Sequence, residues 1–211
     1  MRKVIVNEFL TLDGVMQGPG HVEEDRSGGF DQGGWQPGYF DEVFGAAVMG
    51  TLASTGGLLL GRRTYDTFAA HWPSQPAGDP LADVMNGVPK FVVSMTLDEP
   101  LAWQNSTLVN GDLAREITKL KKAPGNHIDV IGSGDLVQSL LRLDLVDEFR
   151  LMIHPLVLGS GGRLFREGIG PLRLRLTDAK PTTTGVLIVT YEKAGADVGA
   201  KDRKAVAAAA V

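Results

Sequence analysis

The pattern of apolar and polar positions alternates between short apolar runs and segments with helical spacing. Runs rich in Val, Ile, Leu and Phe predict strands, and apolar residues three and four apart predict amphipathic helices. Strands are predicted over residues 3–12, 56–61, 90–95, 106–111, 127–132, 145–159, 173–182 and 185–193. Helices are predicted over residues 39–54, 62–72, 112–123 and 135–144.

The order of these elements indicates the fold class. Strands and helices alternate up to residue 144, and strands alone follow. Such alternation is typical of α/β proteins, because each helix returns the chain to the same edge of a parallel sheet. The last two strands flank a glycine turn and indicate a hairpin. We predict a three-layer α/β fold with a mixed, mostly parallel central sheet, an antiparallel C-terminal hairpin and helices on both faces.

The length of 211 residues favours a single domain, and a hydrophobic content of 43% is enough for a substantial core. We assign this domain to residues 1–193. The segment 194–211 is rich in alanine and carries no periodic pattern. We predict that it is a disordered tail.

Composition excludes several classes of function. The net charge is −4 and basic residues form no stripe, which argues against a nucleic-acid partner. The chain has no cysteine, which excludes disulfides, thiolate catalysis and cysteine-based zinc sites. Its four histidines lack the spacing of metal ligands, so no metal is expected. No apolar run matches a signal peptide or a membrane span, so we expect a cytoplasmic protein without a membrane partner.

Two segments place glycine between a predicted strand and a predicted helix: GRRT at 61–64 and GSG at 132–134. Glycine permits close backbone approach and positive φ, and the free N–H groups of a helix start attract phosphate. The second segment is not a dinucleotide fingerprint, because Val137 stands where the third glycine belongs. A tight turn without a ligand is the alternative for this segment taken alone.

The first segment favours a ligand. Arg62 and Arg63 at a helix start are unfavourable for the helix dipole, and an anion held between them would reverse that cost. Arginine suits phosphate because its planar fork donates parallel hydrogen bonds. Thr64 can cap the helix or donate to a phosphate. The alternative is a solvated arginine pair, but two such units in one chain favour a pyrophosphate site.

These motifs resemble a known superfamily. The stretch GRRTYDTF (61–68) resembles the cofactor motif of dihydrofolate reductases, and VIGSG (130–134) resembles the glycine pair that holds the cofactor pyrophosphate in that fold. The stretches TLDG (11–14) and 145–165 are similar to the reductase domain of the bacterial riboflavin biosynthesis deaminase-reductase and its stand-alone relatives. The similarity covers about residues 3–193. It implies a dihydrofolate reductase-like fold and an NADPH-dependent reductase.

The resemblance also implies which residues bind NADPH. Gly61, Arg62, Arg63 and Thr64 would reach the adenosine phosphate or the pyrophosphate, and Ser94 would lie near the 2′-phosphate. Met95 stands where a dihydrofolate reductase often has a second serine, which leaves NADH open as the cofactor. The residues that would wrap the pyrophosphate and the nicotinamide ribose are Gly132, Ser133, Gly134, Asp135, Leu136 and Val137.

Hydride transfer to a heterocycle also needs a proton source. Asp41, roughly where dihydrofolate reductases place their substrate carboxylate, is the first candidate, and Asp13 at the end of the first strand is the second. The alternatives are a helix-terminal charge and an Asp-Gly turn. Three aromatic residues could stack on the substrate or belong to the core: Trp35, Phe40 and Phe44. The long glycine-rich loop 13–38 is expected to line or cover the pocket.

The predicted function is NADPH-dependent reduction of a pteridine-, pyrimidine- or other nitrogen-heterocycle substrate, as in riboflavin biosynthesis or in dihydrofolate reduction. Riboflavin enzymes carry an acidic substrate ligand before the glycine pair, where this chain has Val130 and Ile131, so the substrate stays open. A catalytically silent nucleotide-binding sensor and a structural domain without a ligand are the alternatives. A homodimer is compatible with the sequence and is the commonest oligomer.

Overall fold

The structure, a computed structural model, describes residues 1–194. The predicted tail, residues 194–211, therefore lies outside the described residues except for residue 194. Eight strands form the framework, and each overlaps a predicted strand. Their bounds are β1 Val4–Thr11, β2 Leu58–Gly61, β3 Lys90–Val93, β4 Ser106–Val109, β5 Ile128–Ile131, β6 Glu148–His154, β7 Leu174–Pro181 and β8 Leu187–Lys193.

Five α-helices connect or flank these strands. Four were predicted, and the fifth, α3, is an eight-residue helix. Short 3-10 helices cover Ser27–Gly29, Pro37–Tyr39 and Trp72–Ser74. The α-helices are α1 Glu42–Ser54, α2 Arg62–His71, α3 Pro80–Gly87, α4 Leu113–Lys122 and α5 Gly134–Arg142.

All eight strands belong to one sheet, in the order β4-β3-β2-β5-β1-β6-β8-β7. The first six strands in this order are parallel to one another, and β8 pairs antiparallel with both β6 and β7. The predicted mixed sheet with a C-terminal hairpin is therefore confirmed. The parallel arrangement brings the carboxyl ends of β1, β2, β3 and β5 to one edge of the sheet.

Helices cover both faces of the sheet, as predicted. Leu59 of β2 belongs to the core under α4 and α5, whereas Leu58 and Leu60 belong to the core under α1, α2 and α3. All three leucines are fully buried. Burial of a leucine side chain contributes about 2 kcal/mol, so each face stabilises the short central strands.

Two local predictions need correction. The strand predicted over 145–159 ends at His154, because Pro155 has no backbone N–H to continue the ladder. Helix α3 was not predicted at all. Its signal was Asp79, whose side chain caps the Leu81 and Ala82 N–H groups at 2.9 Å, followed by Pro80 at the first helical position. No helix in the described part of the chain has the length and apolar character needed to cross a membrane.

Candidate active site

The first turn, residues 61–64 at the end of β2, and the second turn, residues 132–134 after β5, lie side by side at the carboxyl edge of the sheet. They do so because β2 and β5 are neighbours. The Ser133 hydroxyl joins them. Its Oγ accepts a hydrogen bond from the Gly61 N–H at 2.7 Å and donates to Thr64 Oγ1 at 2.8 Å. Ser133 precedes α5 but does not cap it, so its hydroxyl locks one turn to the other instead.

The backbone of the second turn is left-handed, with φ of 63° at Gly132 and 64° at Ser133. A Cβ at Gly132 would lie 3.1 Å from Thr64 Oγ1, so this glycine allows the first turn to approach. A Cβ at Gly134 would lie 2.8 Å from a guanidinium nitrogen of Arg166 and 3.3 Å from the Met16 sulfur. Side chains of the protein itself therefore occupy the space that these two glycines leave open.

The first turn continues into a polar cluster at the end of β3. Arg62 Nη1 donates to Thr96 Oγ1 at 2.5 Å and Arg62 Nε to Asp66 at 3.4 Å. The buried Ser94 hydroxyl accepts from the N–H groups of Thr96 and Leu97. The structure thus brings Arg62 and Ser94 to one place, as the resemblance implies. Thr96 was missed because its contact with Arg62 spans 34 residues of sequence.

Arg63 is exposed, and its guanidinium makes no hydrogen bond or ion pair with the described residues. Helix α2 starts at Arg62 without a side-chain cap. Two arginines at an uncapped helix start leave N–H groups and positive charge together, which suits an anion.

An arginine from a distant loop lies at the start of α5, and no local pattern in the sequence indicated it. Arg166, in the loop after β6, pairs with Asp135 in the first turn of α5, with 2.5 Å between Nη1 and Oδ1. Asp135 is a predicted cofactor residue, and the structure places it at the turn with its side chain largely exposed. Leu136 and Val137 are buried in the core below, so only their backbone faces the turn.

Asp13 lies two residues after the end of β1 and connects two loops by hydrogen bonds. Its carboxylate accepts from the Thr11 hydroxyl at 2.6 Å, from the Gly159 N–H at 2.9 Å and from Arg163 at 3.2 Å. The Thr11 hydroxyl and the backbone N–H groups lower the pKa of Asp13 to about 2, against the effect of burial. These contacts favour a structural role, because an acid with this pKa holds no proton at neutral pH.

Asp41 is the N-cap of α1. One oxygen accepts from the Phe44 N–H at 2.7 Å, and the other accepts from both the N–H and the hydroxyl of Thr183 in the turn between β7 and β8. The Thr183 hydroxyl and the Phe44 N–H lower the pKa of Asp41. Both oxygens are engaged in holding the helix, which favours the capping interpretation over a role as proton source.

The three predicted stacking residues differ in exposure. Phe44 is 1% exposed and packs with Met152 in the core, and Trp35 is buried with its indole N–H donating to the Gln17 carbonyl at 2.9 Å. Phe40 is 61% exposed and remains accessible to a ligand. The burial of Phe44 and Trp35 favours their core interpretation.

A buried histidine lies among these aromatic rings. His154 is fully buried, and its ring centroid lies 5.0–6.0 Å from those of Phe9, Trp35, Tyr39 and Phe44. Its Nδ1 faces the carbonyls of Leu10 and Met152, which places the proton on Nδ1. Burial lowers the pKa of His154, so the ring is neutral.

Residues 2–189 match the RibD C-terminal domain. The chain belongs to that family. Two curated relatives, both from Bacillus subtilis strain 168, are similar to it over much of its length. The uncharacterised protein YyaP is 30% identical over 193 residues, which is 90% of this chain and 94% of YyaP. The uncharacterised protein YwjB is 30% identical over 123 residues, which is 58% of this chain and 66% of YwjB.

Two solved structures resemble this RibD C-terminal domain. A candidate riboflavin biosynthesis protein from Shewanella sp. PV-4 superposes with a TM-score of 0.65 at 25% identity, over 92% of this chain and 99% of that one. A pyrimidine reductase-like protein from Corynebacterium diphtheriae superposes with a TM-score of 0.62 over 92% of each chain. Its 10% identity shows the fold alone. The resemblance seen in the sequence is thereby confirmed for family and fold.

The RibD C-terminal family implies a nicotinamide cofactor, and the two turns fit one. Both helix starts lack a side-chain cap, and the backbone of the second turn is left-handed. Arg62 and Arg63 supply positive charge beside the first turn. Within residues 1–194, no three His, Asp or Glu side chains come together as a metal site would require.

Proposed function

We propose that this RibD C-terminal domain is an NADPH-dependent reductase of a pteridine-like, pyrimidine-like or related nitrogen heterocycle. One observation carries the proposal. The hydrogen bond between Ser133 and Thr64 holds two helix starts together at the carboxyl edge of the sheet. Two such starts side by side present paired sets of backbone N–H groups to one diphosphate.

The residues around the two turns support a nucleotide whose adenosine side lies at the first turn and whose pyrophosphate lies at the second. Arg62, Arg63 and the Ser94 hydroxyl would receive the adenosine side of the cofactor, because they lie together beyond the first turn. The start of α5, with Gly134 and Arg166, would receive the pyrophosphate and the nicotinamide ribose. When bound, the cofactor supplies a hydride to the substrate.

A flat nitrogen heterocycle is the substrate class favoured by membership of the RibD C-terminal domain family. The part of the chain expected to cover it, loop 13–38, is held in place by its own small core. Val15, Phe30 and Trp35 form that core with Phe9 and Leu158 packed against it. Such a loop can exclude water from the site.

Calorimetric titration tests the cofactor directly. We expect NADPH to bind with micromolar affinity, about −8 kcal/mol. Arg62→Ala should weaken this affinity about 10- to 100-fold, because a charge-assisted phosphate contact is lost. Arg173→Ala is the matched control, since Arg173 is exposed and adjoins β7 at the far edge of the sheet.

If neither NADPH nor NADH binds at millimolar concentration, the proposed function is wrong. If NADPH binds, its oxidation is followed with dihydrofolate, dihydropterins and aminopyrimidines as trial substrates. Binding together with turnover of one of these supports the reductase. Binding without turnover of any compound of these classes would instead favour a nucleotide sensor.

A further inference from the structure

The carboxyl of Glu8 is a buried acid that the proposed function does not use. Asn7 of β1 pairs with Ile131 of β5, so Glu8 stands level with Gly132 at the start of the second turn. The side chain of Glu8 is buried, and the residue is only 7% exposed. Within the described part of the chain, its Oε1 has no hydrogen-bond partner.

A buried carboxylate is costly unless a cation compensates it. Burial raises the pKa of Glu8 well above its ordinary value, and only the Gly132 N–H opposes this effect. Glu8 therefore keeps its proton at a pH at which exposed carboxyl groups are ionised. The neutral acid is a hydrogen-bond donor, and a buried donor needs an acceptor.

The other charged groups near the turns already have partners or face solvent. Asp13 pairs with Arg163, and Asp135 pairs with Arg166. On the flanking strand β6, Glu148 pairs with Arg150 and with Lys3. Arg62 pairs with Asp66, and both Arg62 and Arg63 are exposed. Unlike these paired carboxyl groups, Glu8 has no ion pair with the described residues.

The groups that cover the turn beside Glu8 are the ends of flexible side chains. The Met16 sulfur and the Arg166 guanidinium lie over Gly134, where a Cβ would meet them at 3.3 and 2.8 Å. Both can move without a change in the backbone. A ligand that displaces them would come to lie on the turn next to Glu8.

We propose that Glu8 completes the site as a hydrogen-bond donor, and that its O–H is received by an oxygen of the nicotinamide nucleotide on the turn from Gly132 to Gly134. This inference rests on the proposed function. It makes binding of the nucleotide depend on the proton of Glu8. A carboxylate at this place would lose the donor and would also repel phosphate.

Calorimetry with NADPH and NADH, repeated from neutral pH to about pH 9, tests this inference. We expect the affinity of the wild-type protein to fall about tenfold or more over this range as Glu8 ionises. Glu8→Gln should bind within about threefold of wild type at neutral pH and lose the pH dependence, because the amide still donates and cannot ionise. Glu8→Ala should bind about tenfold more weakly at neutral pH. NADH lacks the 2′-phosphate, so a shared pH dependence cannot come from that group.

Glu148→Gln is the matched control, because Glu148 is equally buried but ion-paired, and this variant should keep the wild-type pH dependence. Circular dichroism checks that each variant is folded. If wild type and Glu8→Gln show the same pH dependence, Glu8 is a structural residue and the inference is wrong. If the wild-type protein binds no nicotinamide nucleotide at all, the proposed function itself has failed. Binding that is weakened by Arg62→Ala yet unaffected by Glu8→Ala and by pH removes only the role of Glu8.

Discussion

The Ser133 hydroxyl donates to the Thr64 hydroxyl across 2.8 Å and thereby joins turns that are 69 residues apart in sequence. The same oxygen accepts from the Gly61 N–H. A residue in a left-handed conformation is costly unless it is glycine, and the three-way contact explains why a serine is held there. The bridge makes one platform out of two strand-to-helix turns.

Removal of the bridge should destabilise the protein. Ser133→Gly keeps the left-handed conformation accessible and leaves the Gly61 N–H without its acceptor. We expect the free energy of unfolding to fall by about 1–2 kcal/mol in urea denaturation. Ser139→Ala is the control, because the exposed Ser139 hydroxyl bonds only within the surface of α5 and should change stability by less than about 0.5 kcal/mol. Equal effects of both substitutions would show that the bridge contributes nothing.

A side chain at Gly132 should damage both the fold and the site. Gly132→Ala adds a Cβ at 3.1 Å from Thr64 Oγ1 in a backbone with φ of 63°. We expect a loss of about 1–2 kcal/mol in stability, and NADPH affinity should fall at least about tenfold. Gly38→Ala is the control, because no atom lies within 4 Å of its Cβ position. An unchanged NADPH affinity in Gly132→Ala would mean that the turn is structural only.

Acid should weaken the contacts of Asp13. Its pKa is lowered from 3.8 to about 2 in the folded state, so the folded protein binds fewer protons than the unfolded chain in that interval. Its stabilising effect is complete above about pH 4 and is lost as the pH falls toward 2. Asp13→Asn should therefore be less stable than wild type at neutral pH, and the difference should shrink across this window. A difference that stays constant in denaturation curves down to about pH 2 would contradict this account.

A rise in pH above about 8 should stabilise the protein through Lys90. This lysine is fully buried, with its Nζ 4.2 Å from the centre of the Trp103 ring, and burial lowers its pKa from 10.5 to about 8. The unfolded chain binds more protons between these values, so stability should rise with pH by up to about 3 kcal/mol. Lys90→Met should abolish this rise in chemical denaturation, whereas the exposed Lys180→Met should keep it. A rise that persists in Lys90→Met would assign it to other groups.

The sequence predicts those parts of the fold that depend on local pattern. The apolar run of β1, the amphipathic pattern of α4 and the glycine turn of the C-terminal hairpin each stabilise one conformation over a short stretch. Helix α3 was not predicted, because eight residues form too few turns to give a periodic signal, although Asp79 and Pro80 mark its start.

The site was predictable only in part, for a related reason. The glycines and arginines of the first and second turns follow a local motif that the sequence displays. Two other features depend on how strands and loops that are distant in sequence are placed. They are the position of Arg166 next to Gly134 and the position of Glu8 beside Gly132. Glu8 left one local signal, an acidic residue inside an apolar strand. The interpretation of Asp41 and Asp13 as acids failed to anticipate that backbone N–H groups and hydroxyls engage their oxygens; their catalytic roles stay predictions that the contacts do not favour.

A crystal structure of the protein grown with NADPH would show where the cofactor binds. We expect the pyrophosphate to lie at the start of α5 against Ser133 and Gly134, with the adenosine phosphate beside Arg62 and Ser94. A nucleotide bound elsewhere, such as the open depression lined by residues 99–101 and 103–106 at the opposite end of β4, would contradict it. So would crystals that show the same fold and no nucleotide at saturating NADPH.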